Sequence, residues 1–360
     1  MFTTNKALRF GMFIALLLLI IFLVYKVGFV FRPFIVLVQV VAIPLLLSVF
    51  FYYLLRPLVQ LMGKYKVNRT LAILIIYMIF SAALVWFIFS QWPLLYGQLT
   101  SFLDNIPNLL NAVGEQINAL EKNGFLSSWF SSADNHGPST ITDYLNKGFS
   151  FLSNYVGGLF SFISNFAIIL FTFPILLFFM LKEGERFGEL LVRATPIRYQ
   201  KDSREIISSI DRMLSGFIVG RVIVNISLGV LMYIGFLIIG LPYAFLLTAV
   251  SVIANFIPFI GAILSSVPIL IVGLTQSPAT ALWSLVIILV AQQVQDNLIA
   301  PYVFGKKLDI HPLTTVILVL AAGNIGGIIA MIIIIPVYMM LKIITVRVFS
   351  LFFKEKWMQL

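Results

Sequence analysis

Cysteine is absent from the chain, which excludes disulfides, thiolate metal sites and cysteine nucleophiles. Histidine is limited to His136 and His311, neither inside a long apolar run. There is no His-Glu-x-x-His zinc motif, no Gly-x-Gly-Asp of an intramembrane aspartyl protease and no Walker A sequence. These absences point away from an enzyme, and neither a cofactor nor a metal is expected. Charge is scarce as well. Asp, Glu, Lys and Arg make up 11% of the 360 residues, and the stretch from Val222 to Gln295 holds none of them and no His. With 61% of its residues hydrophobic, such a chain is not a soluble globular domain.

What is present is a series of apolar runs, each long enough to cross a hydrocarbon core of about 30 Å at about 1.5 Å per helical residue. The fold class is therefore all-α, a polytopic membrane protein with the lipid bilayer as its first partner. The net charge of +10 does not call for nucleic acid, because Lys and Arg sit beside the apolar runs in the pattern of cytoplasmic loops. The first span is expected from Phe10 to Val30 and the second from Phe34 to Leu55, joined by a tight turn at Arg32-Pro33. Arg56, Lys64, Lys66 and Arg69 then mark a cytoplasmic loop, which puts the N-terminus inside; the third span runs from Thr70 to Ser90.

Residues 92–158 are acidic on balance (Asp104, Glu115, Glu121, Asp134 and Asp143 against Lys122 and Lys147) and are expected outside. Apolar residues recur there at three and four, which predicts an amphipathic helix with a bend at Pro107. A second such helix follows from Ile141, with Thr140 and Asp143 as a capping box, and His136 lies in the loop between them. A fourth span from Leu159 to Leu181 returns the chain inside. Residues 182–215 read as a cytoplasmic amphipathic helix that continues into a fifth span from Gly216 to Ile239. The resulting division is 1–91, three spans; 92–158, external; 159–181, span four; 182–215, cytoplasmic; 216–345, a transport core; and 346–360, a basic cytoplasmic tail.

Within the core, two apolar segments are interrupted. Tyr243 to Leu274 is broken at Asn255-Phe-Ile-Pro258-Phe-Ile-Gly261, and Leu313 to Leu341 at Gly323-Asn324-Ile-Gly326-Gly327. Pro242, Asn255 and Pro268 are spaced by 13 and 13 residues, and Pro312, Asn324 and Pro336 by 12 and 12. Corresponding Gly- and Pro-broken segments point to a transporter site built on inverted repeats. If Lys306-Lys307 and the basic tail both face the cytoplasm, each segment enters and leaves on one side, giving two broken hairpins of opposite orientation. The alternative is two long kinked helices.

Between them stands the polar cluster Gln292, Gln295, Asp296 and Asn297, where Asp296 ends the uncharged run. An ionisable group in such a segment is a functional candidate by default. On an α-helix Gln292, Gln295 and Asp296 share one face, with Asn297 beside it. Amides and a carboxylate together suit a small hydroxylated solute or a desolvated cation; the plainer reading is a set of interhelical hydrogen bonds. Arg221 either snorkels to the interface or pairs with Asp296. His311 reads as a cap or interface residue.

The elements Gln293-Val-Gln-Asp-Asn-Leu-Ile-Ala-Pro301, Gly305, Leu308, His311-Pro312, the glycines at 323–327 and Pro336 resemble the C-terminal signature of the AI-2E (autoinducer-2 exporter) family of bacterial membrane proteins. Ile257-Pro258-Phe259-Ile260-Gly261 is similar to that family's Ile-Pro-x-Ile-Gly element, and Gly216 to Arg221 to its element at the start of span five, with Arg221 where Gln is common. The resemblance implies an inner-membrane transporter of about eight hydrophobic segments, each near the ~20 residues of a membrane crossing. It further implies a homo-oligomer, a pentamer, that exports autoinducer-2 or a similar small polar solute, or a sodium or lithium/proton antiporter using Asp296. The candidate site is Gln292, Gln295, Asp296, Asn297, Asn255, Pro258, Gly261, Gly323, Asn324, Gly326 and Gly327, with Arg221–Asp296 as an ion pair. A non-transporting membrane scaffold is the alternative from another class.

Overall fold

The computed structural model describes residues 6–26, 28–122, 166–305 and 310–357. Among them there is no strand, so the all-α expectation holds. The second external helix from Ile141, its capping box, His136 and the start of span four lie outside the described residues.

Helix α1 (Lys6–Lys26) is followed by α2 (Gly28–Lys64) and α3 (Arg69–Ser90). Arg32-Pro33, the expected turn, falls inside α2. Next come α4 (Trp92–Lys122) and α5 (Phe166–Ala194). Helix α4 continues through Pro107, and α5 runs on through Lys182-Glu183-Gly184, so span four and the start of the 182–215 segment are one helix. The break comes instead at Thr195-Pro196, where proline biases the preceding residue away from helix. A short 3₁₀ turn, Ile197–Tyr199, leads into α6 (Gln200–Ile238), a single helix as expected. It closes in a Schellman turn, with Leu241 N–H bonded to Phe236 C=O at 2.9 Å and both side chains buried.

The core hairpin consists of α7 (Ala244–Ala254) and α8 (Ile260–Gln276). Ser277 caps α9 (Pro278–Val294) by accepting from Thr280 N–H at 3.0 Å, with Pro278 at the first helical position. A π-helical segment, Gln295–Ile299, and α10 (Ala300–Phe304) complete that crossing, and α11 spans Pro312–Trp357. Helix α11 is one helix in name only. Gly326 and Gly327 have φ/ψ of −140/18 and 62/−150, outside any helix, and they divide it into two legs.

The legs of α11 fold back on each other. Ile310 at its start and Lys342 and Ile343 near its end border one cavity, together with Ser209 and Arg212 of α6. A straight helix would separate Ile310 from Ile343 by about 50 Å. The other hairpin has its base at the opposite end of α6, where Gln276 Nε2 donates to Gly240 C=O at 3.4 Å. The two hairpins are thus rooted at opposite ends of α6 and point in opposite directions. Long kinked helices would not produce these neighbours.

Five helical stretches are long and apolar enough to cross a membrane among the described residues: Val41–Lys64, Arg69–Ser90, Ile197–Ile238, Pro278–Phe304 and Pro312–Ser350. Large apolar side chains such as Met78, Phe89 and Ile238 remain on the outside, as a hydrocarbon solvent requires. Inside, one cluster joins the α4 stripe (Phe102, Leu109, Val113) to Leu228, Phe236, Leu247 and Ile269 of α6, α7 and α8. Helix α4 therefore packs against the core hairpin, with Asn105 Nδ2 donating to Tyr243 Oη at 3.3 Å and Leu246 N–H to Gln98 Oε1 at 3.0 Å. A second cluster binds α2, α3 and α5 around Tyr52, Ile73 and Leu181. Helix α6 is shared by both, and Arg56 of α2 grips both oxygens of its Asp211 at 2.7 Å.

Candidate functional site

The site forms where α7 stops. Asn255 caps that helix and is only 5% exposed, and the next residues turn away, leaving carbonyls that no helical N–H can reach. Arg221, projecting from the middle of α6, donates through Nη2 to the Asn255 carbonyl. The Asn255 side chain donates from Nδ2 to Gln295 Oε1 at 3.1 Å, and Gln295 Nε2 donates to Asp296 Oδ1 at 3.0 Å. Four residues from α6, the hairpin tip and the π segment thus form one relay, in which Asn255 and Gln295 are buried and Asp296 is exposed. Each free amide or carbonyl there would cost about 1–3 kcal/mol if left without a partner.

The π segment decides which cluster residues join. Pro301 lacks an N–H and its ring crowds the carbonyl four residues earlier, that of Asn297, so the helix widens over Gln295–Ile299. Gln295 turns inward and is 6% exposed, while Asp296 and Asn297 turn outward. Asn297 Nδ2 bonds to Gln293 Oε1 at 2.6 Å on that outer face, and half-buried Gln292 is not part of the relay. The single α-helical face expected for Gln292, Gln295 and Asp296 is accordingly split. Arg221 and Asp296 do not form a direct ion pair among the described residues; the two amides stand between them.

The hairpin tip is tightly closed. A Cβ on Gly261 would collide with the Ala254 carbonyl and the Asn255 backbone, so only glycine lets the two legs meet. Next to it, exposed Phe259 holds a φ of 62°, a left-handed value that a bulky side chain rarely takes. Pro258 sits between, half-buried, its carbonyl accepting from Ile260 N–H at 2.7 Å. The other tip is separate. Asn324 is exposed and bonds to Leu320 C=O of its own helix at 3.3 Å; Gly326 and Gly327 are exposed and Gly323 is half-buried beside Met331. His311 accepts from Leu313 N–H at 3.3 Å through Nδ1, a capping position at the start of α11.

Among the buried polar residues that escaped the sequence reading, Asn225 and Thr248 each hold a side-chain oxygen without a hydrogen-bond partner among the described residues. Asn225, four residues after Arg221 on the same face of α6, is 0% exposed. Its Nδ2 reaches Val252 C=O at 3.5 Å while its Oδ1 has no partner, as is also true of Thr248 Oγ1 on α7. Asn225 was visible in principle as an amide at helical spacing from the last cation before the uncharged run.

Residues 13–349 match the model of a protein family described as AI-2E family transporter. The chain belongs to the AI-2E family. As a member it is an integral membrane transport protein. Among its relatives is YueF of Bacillus subtilis (strain 168), 36% identical over 336 residues, which cover 91% of this chain and 90% of YueF. YrrI of the same organism is 28% identical over 95% of this chain and 97% of its own length. The names of both propose a transport role and specify no cargo. PerM of Escherichia coli (strain K12), named for a permease role, is 26% identical over 43% of this chain and 44% of its own length. The relay Arg221–Asn255–Gln295–Asp296 lies within the residues matched to the AI-2E model.

Proposed function

We propose that this AI-2E member is a secondary transporter that passes a small polar solute across a bacterial inner membrane, with Asn255 and Gln295 at its selective point. One observation carries the reading: a relay of buried amides ties the tip of a broken hairpin to an arginine and a carboxylate, inside an otherwise uncharged core. Such amides offer both donors and acceptors to a hydroxylated solute that must shed water. Autoinducer-2, after which the family is named, is a cargo of this kind, and export is the direction we assign. We also take the basic end of α6 as cytoplasmic, following the charge rule, with both termini on that side. The working unit in this reading is a homo-oligomer of five copies.

The test is flux in proteoliposomes of the purified full chain. Uptake or release of a hydroxylated solute by wild type, lost in Gln295→Ala, is the expected result. A second reading, sodium or lithium/proton antiport, is favoured by one feature: Asp296 is the carboxylate at the end of the relay. Sodium-dependent proton flux without any organic solute, abolished by Asp296→Asn, would decide for antiport. Absence of all flux would leave the scaffold reading. Mass measurement of the detergent-solubilised protein tests the pentamer.

A further inference from the structure

Among the described residues, four buried side-chain atoms hold no hydrogen-bond partner: Arg56 Nε, Arg221 Nε, Asn225 Oδ1 and Thr248 Oγ1. Arg56 lies on α2, where its Nη1 already grips Asp211. The other three share one seam. Arg221, Asn225 and Gly229 recur every four residues along one face of α6, and α7 runs antiparallel beside them. Arg221 donates to Asn255 C=O, Asn225 Nδ2 to Val252 C=O at 3.5 Å, and a Cβ on Gly229 would lie 3.7 Å from Thr248 Cγ2. Eight residues of helix cover about 12 Å, so the three unused hydrogen-bonding positions follow one another over that length. They start at the relay and lead towards the base of the α7–α8 hairpin.

Burying an amide oxygen or a hydroxyl without a partner costs stability, and apolar side chains at 225 and 248 would avoid the cost. Asn225 is 0% and Thr248 7% exposed, inside the run from Val222 to Gln295 that holds no charged residue. Polar groups kept at such a cost in a membrane core mark the route of a substrate. Their chemistry is complementary to a hydroxylated solute: an N–H that donates, a carbonyl oxygen that accepts and a hydroxyl that does either. We propose that Asn225 and Thr248 are cargo-binding residues, a second station beyond the Asn255–Gln295 relay for a small solute with a hydroxyl donor and an oxygen acceptor. The free Nε–H of Arg221 stands between the two stations.

The seam is closed in this structure, since a Cβ on Gly229 would come within 2.5 Å of Val252 Cγ2. Passage therefore requires α7 to part from α6, and water then reaches both residues. This rests on the reading of the chain as a carrier of hydroxylated solutes, and adds a route and two residues to it.

The chain has no cysteine, so single cysteines placed in the full chain in proteoliposomes can be labelled without background. Asn225→Cys and Thr248→Cys are compared with Leu228→Cys and Met232→Cys, apolar positions of α6 that are 2% and 1% exposed. Sulfonatoethyl methanethiosulfonate, which is charged, is present on both sides of the bilayer. Labelling at 225 and 248, with 228 and 232 inert, is expected; four inert positions, or four labelled alike, would overturn the proposal. Flux of erythritol and ribose is the second readout. Thr248→Val keeps the shape and removes only the unpartnered hydroxyl. It should lower flux about tenfold, the effect of one lost hydrogen bond to the cargo, at an unchanged or higher melting temperature, and Thr248→Ser should restore the flux. A lower melting temperature with unchanged flux would mark a merely structural hydroxyl and overturn the proposal. Wild-type flux in Thr248→Val with flux lost in Gln295→Ala would sink the second station and leave the relay. The reverse pattern would sink the relay and leave the seam. If neither probe moves in wild type, the labelling pattern alone decides.

Discussion

At the scale of single residues, position within the fold outweighs residue type. Asn255 and Asn324 are both asparagines at breaks in apolar segments, yet Asn255 is buried in the relay and Asn324 bonds only to its own helix. Gln295→Ala should therefore lower flux at least about tenfold and destabilise the protein by about 1–3 kcal/mol, since it strands a buried amide. Asn324→Ala should leave flux within about twofold and thermal stability within about 0.5 kcal/mol. Side-by-side flux and melting measurements check the contrast. Gly261→Ala meets backbone rather than a movable side chain, and a loss of about 1–3 kcal/mol in thermal unfolding is expected even though one methyl group is added. Gly261 stood out in the sequence as part of a motif, but its reason, the closeness of Ala254, depends on a contact that no spacing reveals. Asn225 was missed for a related cause: one amide among apolar neighbours looks the same whether it faces lipid or core.

At the scale of elements, the breaks were legible and the register was not. Proline and glycine interrupt a helix by local chemistry, so the tips at 255–261 and 323–327 could be read directly. The widened turn at Gln295–Ile299 depends on how Pro301 is accommodated, and an ideal helix wheel puts Gln292 where the π segment does not. Pro301→Ala restores the missing N–H and should let the segment return to α-helix. That shift rotates Gln295 by about 100°, one residue's worth of turn, and takes it away from Asn255. The expected outcome is a fall in flux as large as that of Gln295→Ala, with the about 1–3 kcal/mol cost of stranding Asn255 offset in thermal stability by the regained helical hydrogen bond and the loss of the proline clash. Because the chain has no cysteine, a single cysteine at Leu298 can report the rotation by its labelling rate with an aqueous reagent.

At the scale of the whole molecule, α6 joins a lateral bundle of α2, α3 and α5 to the core of α4 and the hairpins. The Arg56–Asp211 pair ties α2 to α6 with side chains 18% and 35% exposed. Arg56→Ala should cost about 1.5–3 kcal/mol, the scale of a hydrogen bond to a charged group, and Arg56→Asp with Asp211→Arg should recover part of it. Arg204–Glu189, whose side chains are 66% and 54% exposed, should contribute under about 1 kcal/mol in the same unfolding assay. The opposed hairpins follow from charge placement that was already visible in the sequence, whereas the shared role of α6 required the packing. The uncharged run from Val222 to Gln295 has an electrical meaning as well. A segment with no formal charge does no work against the membrane potential when it shifts, while each elementary charge carried across 100 mV involves about 2.3 kcal/mol. The α7–α8 hairpin can therefore travel through the field without sensing it. Within this part of the core, the charges nearest to the hairpin that could sense the field are Arg221 and Asp296, at the two ends of that run.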